Sequence, residues 1–393
     1  MATGRKSMQL KGITRLAPHL IALSAAALIG LWLREPQPQT DRGWGPLIGA
    51  DESSTPSEPR RSAPAPASRP AASDAVMRGV AVQVDSNYKP IERFGQLIRE
   101  VAALGADTVL LSVNAYQQRI DSGLIEIDPE RTPTDAQWLE LFDIARRAGL
   151  RIIYMPKILL KDTAGGKWRG QIAPPSWESW FNQYRRYVVG RAKLAEQGGA
   201  EVFIVGSELI SAEKFTDEWR QTIDAVREVY TGKLTYSSNW DHYTSIQFWD
   251  DLDLVGMTSY YNLNRAGHER PSADQLATAW KPIQKTILEW QADIDRPLLF
   301  TEVGWCSQQG CSSQPWNYYL RDEASPEGLD EQAANYEAFI RTWSDVPEVG
   351  GVIWWEWTPA EGGPDDHHYT PKGKPAEQRL RDFFRAAQRD AHR

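Results

Sequence analysis

The sequence predicts an α/β chain folded as a (β/α)8 barrel, on three observations. Eight short runs rich in Val, Ile and Leu recur along the chain, most of them separated by helical patterns. The repeat fills about 310 residues, the scale of one such barrel. No Gly-rich dinucleotide fingerprint follows the first run, as the alternative, a doubly wound sheet, would lead one to expect.

The 393 residues open on a basic stretch, 1–16, carrying Arg5, Lys6, Lys11 and Arg15. An apolar segment follows at 17–34, with its densest part from Leu20 to Leu33. Positive charge ahead of an apolar run is the export pattern, with the charges retained in the cytoplasm. The run is near the lower limit for a membrane span. It reads as a single transmembrane signal anchor, with a cleaved signal peptide as the alternative. Either places the remainder on the periplasmic or extracellular side, anchored to the inner membrane or secreted. Residues 35–76 are dominated by Pro, Ala, Ser and Arg, as in RRSAPAPASRP, and read as a disordered linker.

The barrel is expected over 77–388. Its strands read as 79–84, 108–113, 151–155, 202–205, 234–237, 254–258, 298–300 and 351–355. The helical patterns are 91–104, 135–148, 177–195, 216–230, 273–290 and 330–343. Thr134 before Asp135 is a plausible helix start, and Gly149 a plausible stop. Only the link from the fifth to the sixth strand looks too short for a full helix.

The net charge of −8 argues against nucleic acid as a partner, because phosphate binding needs a positive field. No serine-hydrolase elbow, HExxH or P-loop pattern occurs, and no cofactor or metal is expected. The sequence GGPDDHHYTP groups Asp365, Asp366, His367 and His368, but it reads as a flexible surface turn without a second ligand cluster. Cys306 and Cys311, the only cysteines, could close a small disulfide or remain thiols. The 17 Trp divide between core filling and platforms for sugar rings, whose C–H faces pack on indoles.

Chemistry in such a barrel belongs at the C-terminal ends of the strands. Glu208 stands at the end of the fourth strand and Glu302 at the end of the seventh. A carboxylate there costs desolvation unless it is paired or working. Cleavage of a glycosidic bond needs two carboxyls flanking it, one a proton donor and one a nucleophile or base. The partner implied is a polysaccharide or oligosaccharide, and the chain is expected to act as a monomer.

Acid on strand four and nucleophile on strand seven resembles the clan A glycoside hydrolases. More narrowly, the chain resembles glycoside hydrolase family 113, known for endo-β-mannanase activity. The matching stretches include RTPTDAQWLELFDIARRAGLRIIYMPK, VFIVGSEL, LTYSSNWDHY, DLDLVGMTSYYNL, LLFTEVGW and GGVIWWEWTP, in order between 78 and 384. The resemblance implies a retaining enzyme with Glu208 as acid/base and Glu302 as nucleophile, their carboxyls about 5–5.5 Å apart. It places Tyr260 where clan A enzymes set a tyrosine hydroxyl against the nucleophile. Trp355 and Trp357 share strand parity at the eighth strand, so both should point the same way, one of them flooring the cleavage subsite. Asn239, Trp240 and Trp305 are candidate sugar contacts. Ser207 and Lys157 are further candidate sugar contacts. Ser207 stands where many members of the wider clan have Asn, although a small hydroxyl residue there resembles the family 113 pattern, and Lys157 stands where relatives often carry His. The expected reaction is endo-β-1,4-mannanase-like. The alternatives are hydrolysis or transglycosylation of another envelope or exported β-glycan, and a non-catalytic carbohydrate-binding barrel.

Overall fold

The computed structural model describes residues 75–86 and 89–391. The basic stretch, the apolar segment and all but the last two residues of the linker lie outside them. Among the described residues no helix is long and apolar enough to cross a membrane.

Eight parallel strands close into a barrel in chain order. They are β1 (Met77–Gln83), β2 (Thr108–Gln117), β3 (Arg151–Leu160), β4 (Val202–Ser207), β5 (Lys233–Ser238), β6 (Val255–Thr258), β7 (Leu298–Val303) and β8 (Val349–Trp354). The ring closes where Met77 of β1 pairs with Gly351 of β8. Each strand has the barrel interior on one side and helices on the other, so both faces are buried and the sequence reads as continuous apolar runs.

Helices α1 (Ile91–Ala103), α2 (Asp135–Arg147), α3 (Trp177–Gly198), α4 (Thr216–Arg227), α5 (Ala273–Ile294) and α6 (Pro326–Trp343) form the outer ring. Thr134 caps α2 reciprocally with Gln137, satisfying two orphan donors at its start. Between β5 and β6 lie only two short 3-10 turns, Tyr243–Ser245 and Trp249–Asp251, as the short link predicts. A seventh helix, α7 (Pro375–Ala391), was not among the predicted patterns, because it lies beyond the last strand instead of between two strands. It packs beside α6, and Arg381 donates to the Ala103 carbonyl at the end of α1.

Two apolar layers result. The inner one fills the barrel with Ala81, Leu110, Ile153, Ile204, Leu299 and Ile353, and continues upward through Tyr260, Trp316, Trp355 and Tyr369. The outer one lies between strands and helices and holds Trp138, Trp180, Trp219, Trp280, Trp343 and Trp354, all fully buried. Much of the tryptophan therefore fills core. β2 and β3 extend beyond the predicted apolar runs to Gln117 and Leu160. Polar Asn114, Gln117 and Lys157 interrupt the hydrophobic signal without ending the ladder, whose register runs from Thr108↔Arg151 to Gln117↔Leu160. Those extensions raise one wall of the barrel mouth.

Candidate active site

Glu208 follows β4 directly and is fully buried. Its φ of +51° lies in the left-handed region, which a side chain larger than glycine seldom adopts. Such a conformation costs of order 1–3 kcal/mol and persists where surrounding structure holds it. Here the Glu208 N–H donates to the Ser237 carbonyl at 2.8 Å, tying the end of β4 to β5. The carboxyl has two side-chain donors. Arg169 Nη2 reaches Oε2 at 2.6 Å, and Thr258 Oγ1 reaches Oε1 at 3.2 Å.

Glu302 lies on β7, buried, and accepts from the Tyr260 hydroxyl at 2.8 Å on Oε2. Its backbone stands opposite Thr258 in the β6–β7 register, and its carbonyl accepts from Ser259 N–H at 2.9 Å. Thr258 thus touches both acids: its backbone flanks Glu302 and its hydroxyl binds Glu208. Two carboxyls distant in sequence meet across the end of β6. Gly304 helps set this geometry, since a Cβ there would collide with the Trp355 carbonyl and push β7 from β8.

Electrostatics favour a proton on Glu208. Burial pushes the Glu208 carboxyl up to about 7, the nearby Glu302 charge adds to the rise, and Arg169 opposes it. Arg169 offers only donors, so Oε2 must accept, and a proton on this acid resides on Oε1 beside Thr258. Burial and the Glu302 charge hold the Tyr260 hydroxyl well above its ordinary range, so it remains a donor to Glu302. One protonated and one hydrogen-bonded carboxyl is the arrangement that acid-assisted displacement at an acetal carbon requires.

The other sequence candidates divide. Trp355 belongs to the inner layer with Tyr260 and Tyr369. Trp357 does not share its direction: it joins the outer layer, and its Nε1–H donates to Glu100 of α1 at 2.8 Å. The expectation from strand parity fails because β8 ends at Trp354, so alternation does not govern either residue. Trp305 also turns outward, fully buried near Tyr336 and Phe339 of α6, and is core instead of a sugar contact. Trp240 remains at the mouth, partly exposed, stacked on Trp316 with ring centroids 5.8 Å apart. Asn239 is buried; its Nδ2 donates to Asp241, and its Oδ1 has no partner among the described residues. Ser207 is occupied structurally, its carbonyl accepting from Arg169 Nε at 2.9 Å and its hydroxyl contacting Nη2 at 3.3 Å. Lys157 is buried in the mouth, its ammonium 4.7 Å from the Trp355 ring centroid.

Three polar residues of the mouth escaped the sequence reading. Arg169 sits on a short 3-10 turn (Arg169–Gln171) between β3 and α3, where nothing local signals contact with β4. Gln83 ends β1. Glu356 follows β8 and obeys the same strand-end rule that singled out Glu208 and Glu302, so it was findable. The loop holding Asp366 and His368 is not a free turn: the buried Lys374 ammonium bonds Asp366 Oδ1 at 2.7 Å, Ser307 Oγ at 2.9 Å and the His368 carbonyl at 2.9 Å. Cys306 and Cys311 are both buried free thiols, with no disulfide between them. A cavity of about 660 Å³ opens on another side of Trp240, between Tyr261, Leu263, Pro271 and Ile283, and includes neither acid.

The model of Glycoside Hydrolase Family 113 matches residues 86–374. Among solved structures, the chain is similar to a family 113 β-mannanase from Alicyclobacillus acidocaldarius in complex with ManMIm. Identity is 28% and the TM-score 0.70, covering 80% of this chain and 98% of that one. A second structure, a family 113 β-1,4-mannanase, is 26% identical at TM-score 0.70, covering 79% and 99%. A third, described as a complex structure of a family 113 β-1,4-mannanase, is 25% identical at TM-score 0.66, covering 80% and 98%. Comparison with curated proteins finds no match.

Proposed function

Since the chain belongs to glycoside hydrolase family 113 and is an O-glycosyl hydrolase, we propose that it is an endo-acting β-1,4-mannanase working by retaining double displacement. Glu302 attacks the anomeric carbon while Glu208 protonates the departing glycosidic oxygen. Glu208 then takes a proton from water, which opens the glycosyl ester on Glu302. The observation that carries this reading is the pairing across β6: one acid is held protonated near neutrality by burial, and the other is oriented by Tyr260. Once the glycosyl ester forms, the charge on Glu302 is gone, and the rise it imposes on Glu208 relaxes as the second step needs a base. Trp355 supplies the apolar floor and Trp240 a stacking surface at the rim. The substrate class follows from the β-mannanases to which the chain is similar.

Purified polysaccharides with product analysis test this directly. β-1,4-mannan is expected to fall to a ladder of short oligosaccharides, with the new reducing ends in the β configuration at early times. Activity confined to a different β-glycan, or transfer products replacing hydrolysis products, would instead favour an envelope-polysaccharide enzyme. Binding without bond cleavage on every glycan would leave a carbohydrate-binding barrel.

We also propose that the enzyme is tethered to the inner membrane with its barrel on the far side. Arg5, Lys6, Lys11 and Arg15 ahead of the apolar run support this orientation. Fractionation of expressing cells should leave the full-length chain in the membrane, accessible to protease from the periplasmic side. A soluble product shortened at its N-terminus would mean cleavage instead.

A further inference from the structure

The barrel mouth holds a third carboxyl that the displacement scheme leaves unused. Glu356 is 4% exposed, and its Oε2 accepts from Gln83 Nε2 at 2.7 Å. The Gln83 Oε1 in turn accepts from Lys157 Nζ at 2.8 Å, with Lys157 3% exposed. The orientation of the amide is dictated by chemistry. An ammonium only donates, so the Gln83 oxygen must face it, and the amide nitrogen is left for Glu356. The result is a row, Lys157–Gln83–Glu356, drawn from β3, β1 and the segment after β8. Its Lys157 end lies over the Trp355 ring.

A buried charge is costly unless paired, and within this row Lys157 and Glu356 are hydrogen-bonded to each other only through the Gln83 amide. Burial pushes the Glu356 carboxyl up to about 7 and pulls Lys157 down to about 8. A purely structural row would be better served by apolar residues of similar size. A second observation points the same way. Trp355 is 2% exposed and, like several core indoles, its indole N–H finds no partner among the described residues. It is set apart from them by the buried Lys157 ammonium 4.7 Å from its ring centroid. Donors and an acceptor thus gather around one aromatic ring, which is how a sugar with an apolar face and a polar edge is bound.

The side of the site is also defined. Arg169 and Thr258 attend Glu208, whereas the Trp355 backbone N–H donates to the carbonyl of Val303, the neighbour of Glu302 on β7, at 2.8 Å. The Glu302 charge acts on both Lys157 and Glu356. The nucleophile attaches to the sugar on the glycone side of the broken bond. We infer that Gln83, Lys157 and Glu356 form, with Trp355, a specificity-determining row that hydrogen-bonds ring hydroxyls of the sugar retained on Glu302. This deepens the reading above and rests on Glu302 being the nucleophile. With Oε2 committed to Gln83, the remaining oxygen of Glu356 meets the sugar, accepting from a hydroxyl as the carboxylate and donating as the acid.

Aryl glycosides lacking one ring hydroxyl at a time test the row in the full-length enzyme. The variants are Glu356→Gln, which keeps an amide oxygen for Gln83, and Lys157→Met. On the fully hydroxylated aryl β-mannoside, Glu356→Gln is expected to lower kcat/KM about 10- to 100-fold. On the one deoxy sugar that lacks the contacted hydroxyl, wild type and variant should become nearly equal. That coincidence at a single position cannot arise from a merely structural role. An equal loss on every member of the series, with Lys157→Met behaving alike, overturns the row as a sugar reader. Should Glu356→Gln not fold, Lys157→Met measured on the same series decides the matter by the same criterion. Should mannosides be inert and glucosides be turned over, the mannan assignment falls, and the deoxy-glucoside series tests the row independently.

Discussion

Glu302→Ala is expected to reduce kcat/KM by at least about 10⁴-fold on polysaccharide and activated aryl glycosides alike. Removing the nucleophile removes the covalent step, and no leaving group compensates for that. Tyr260 loses the only side-chain hydrogen bond to the Glu302 carboxyl among the described residues. The buried Lys157 loses the charge acting most strongly on it but keeps its hydrogen bond to Gln83, so retention of the fold is checked by thermal unfolding. Azide added to this variant would occupy the vacated volume and attack from the face Glu302 used. A single displacement inverts, so the product is the α-glycosyl azide. Turnover within about tenfold of wild type would remove Glu302 from the nucleophile's role.

Glu208→Ala should behave differently with each substrate. Natural polysaccharide has a poor leaving group that needs the proton, and its loss is expected to be on the order of 10²- to 10⁴-fold. A dinitrophenyl glycoside needs little protonation, so formation of the glycosyl ester should be nearly spared and the ester should accumulate. Azide here attacks the ester from the opposite face, and two inversions give the β-glycosyl azide. The two variants therefore yield opposite anomers, and identical anomers from both would reverse or void the assignment. pH supplies an independent reading. Glu208 works in its protonated form, and burial raises that proton's pKa to about 7, so wild-type kcat/KM on natural substrate should decline as pH rises through about 7. In Glu208→Ala, measured on the activated substrate, that alkaline decline should be lost or displaced. Arg169 is left without its carboxylate partner in this variant, so stability must be monitored by thermal unfolding.

Strand-end carboxyls were legible because a barrel fixes where its strand ends point. Glu208 in EVFIVGSEL and Glu302 in RPLLFTEVGW announce themselves by following apolar runs, and Glu356 in GVIWWEW meets the same criterion. The outward turn of Trp357 and Trp305 was not legible. Both sit past strand ends, where the two-residue alternation of a ladder no longer sets side-chain direction. Their indoles go where the outer layer has room, against Glu100 and beside Tyr336.

By itself the sequence determined the barrel, its order of strands, the short β5–β6 link and the two acids, because periodicity and strand ends are local properties. Tertiary structure alone decided which groups stand against those acids. Arg169 meets Glu208 across 39 residues, Tyr260 meets Glu302 across 42, and Gln83 meets Glu356 across 273. Closing eight strands into a ring brings the first and last together, and the proton affinities of buried carboxyls depend on such neighbours, which no local pattern encodes.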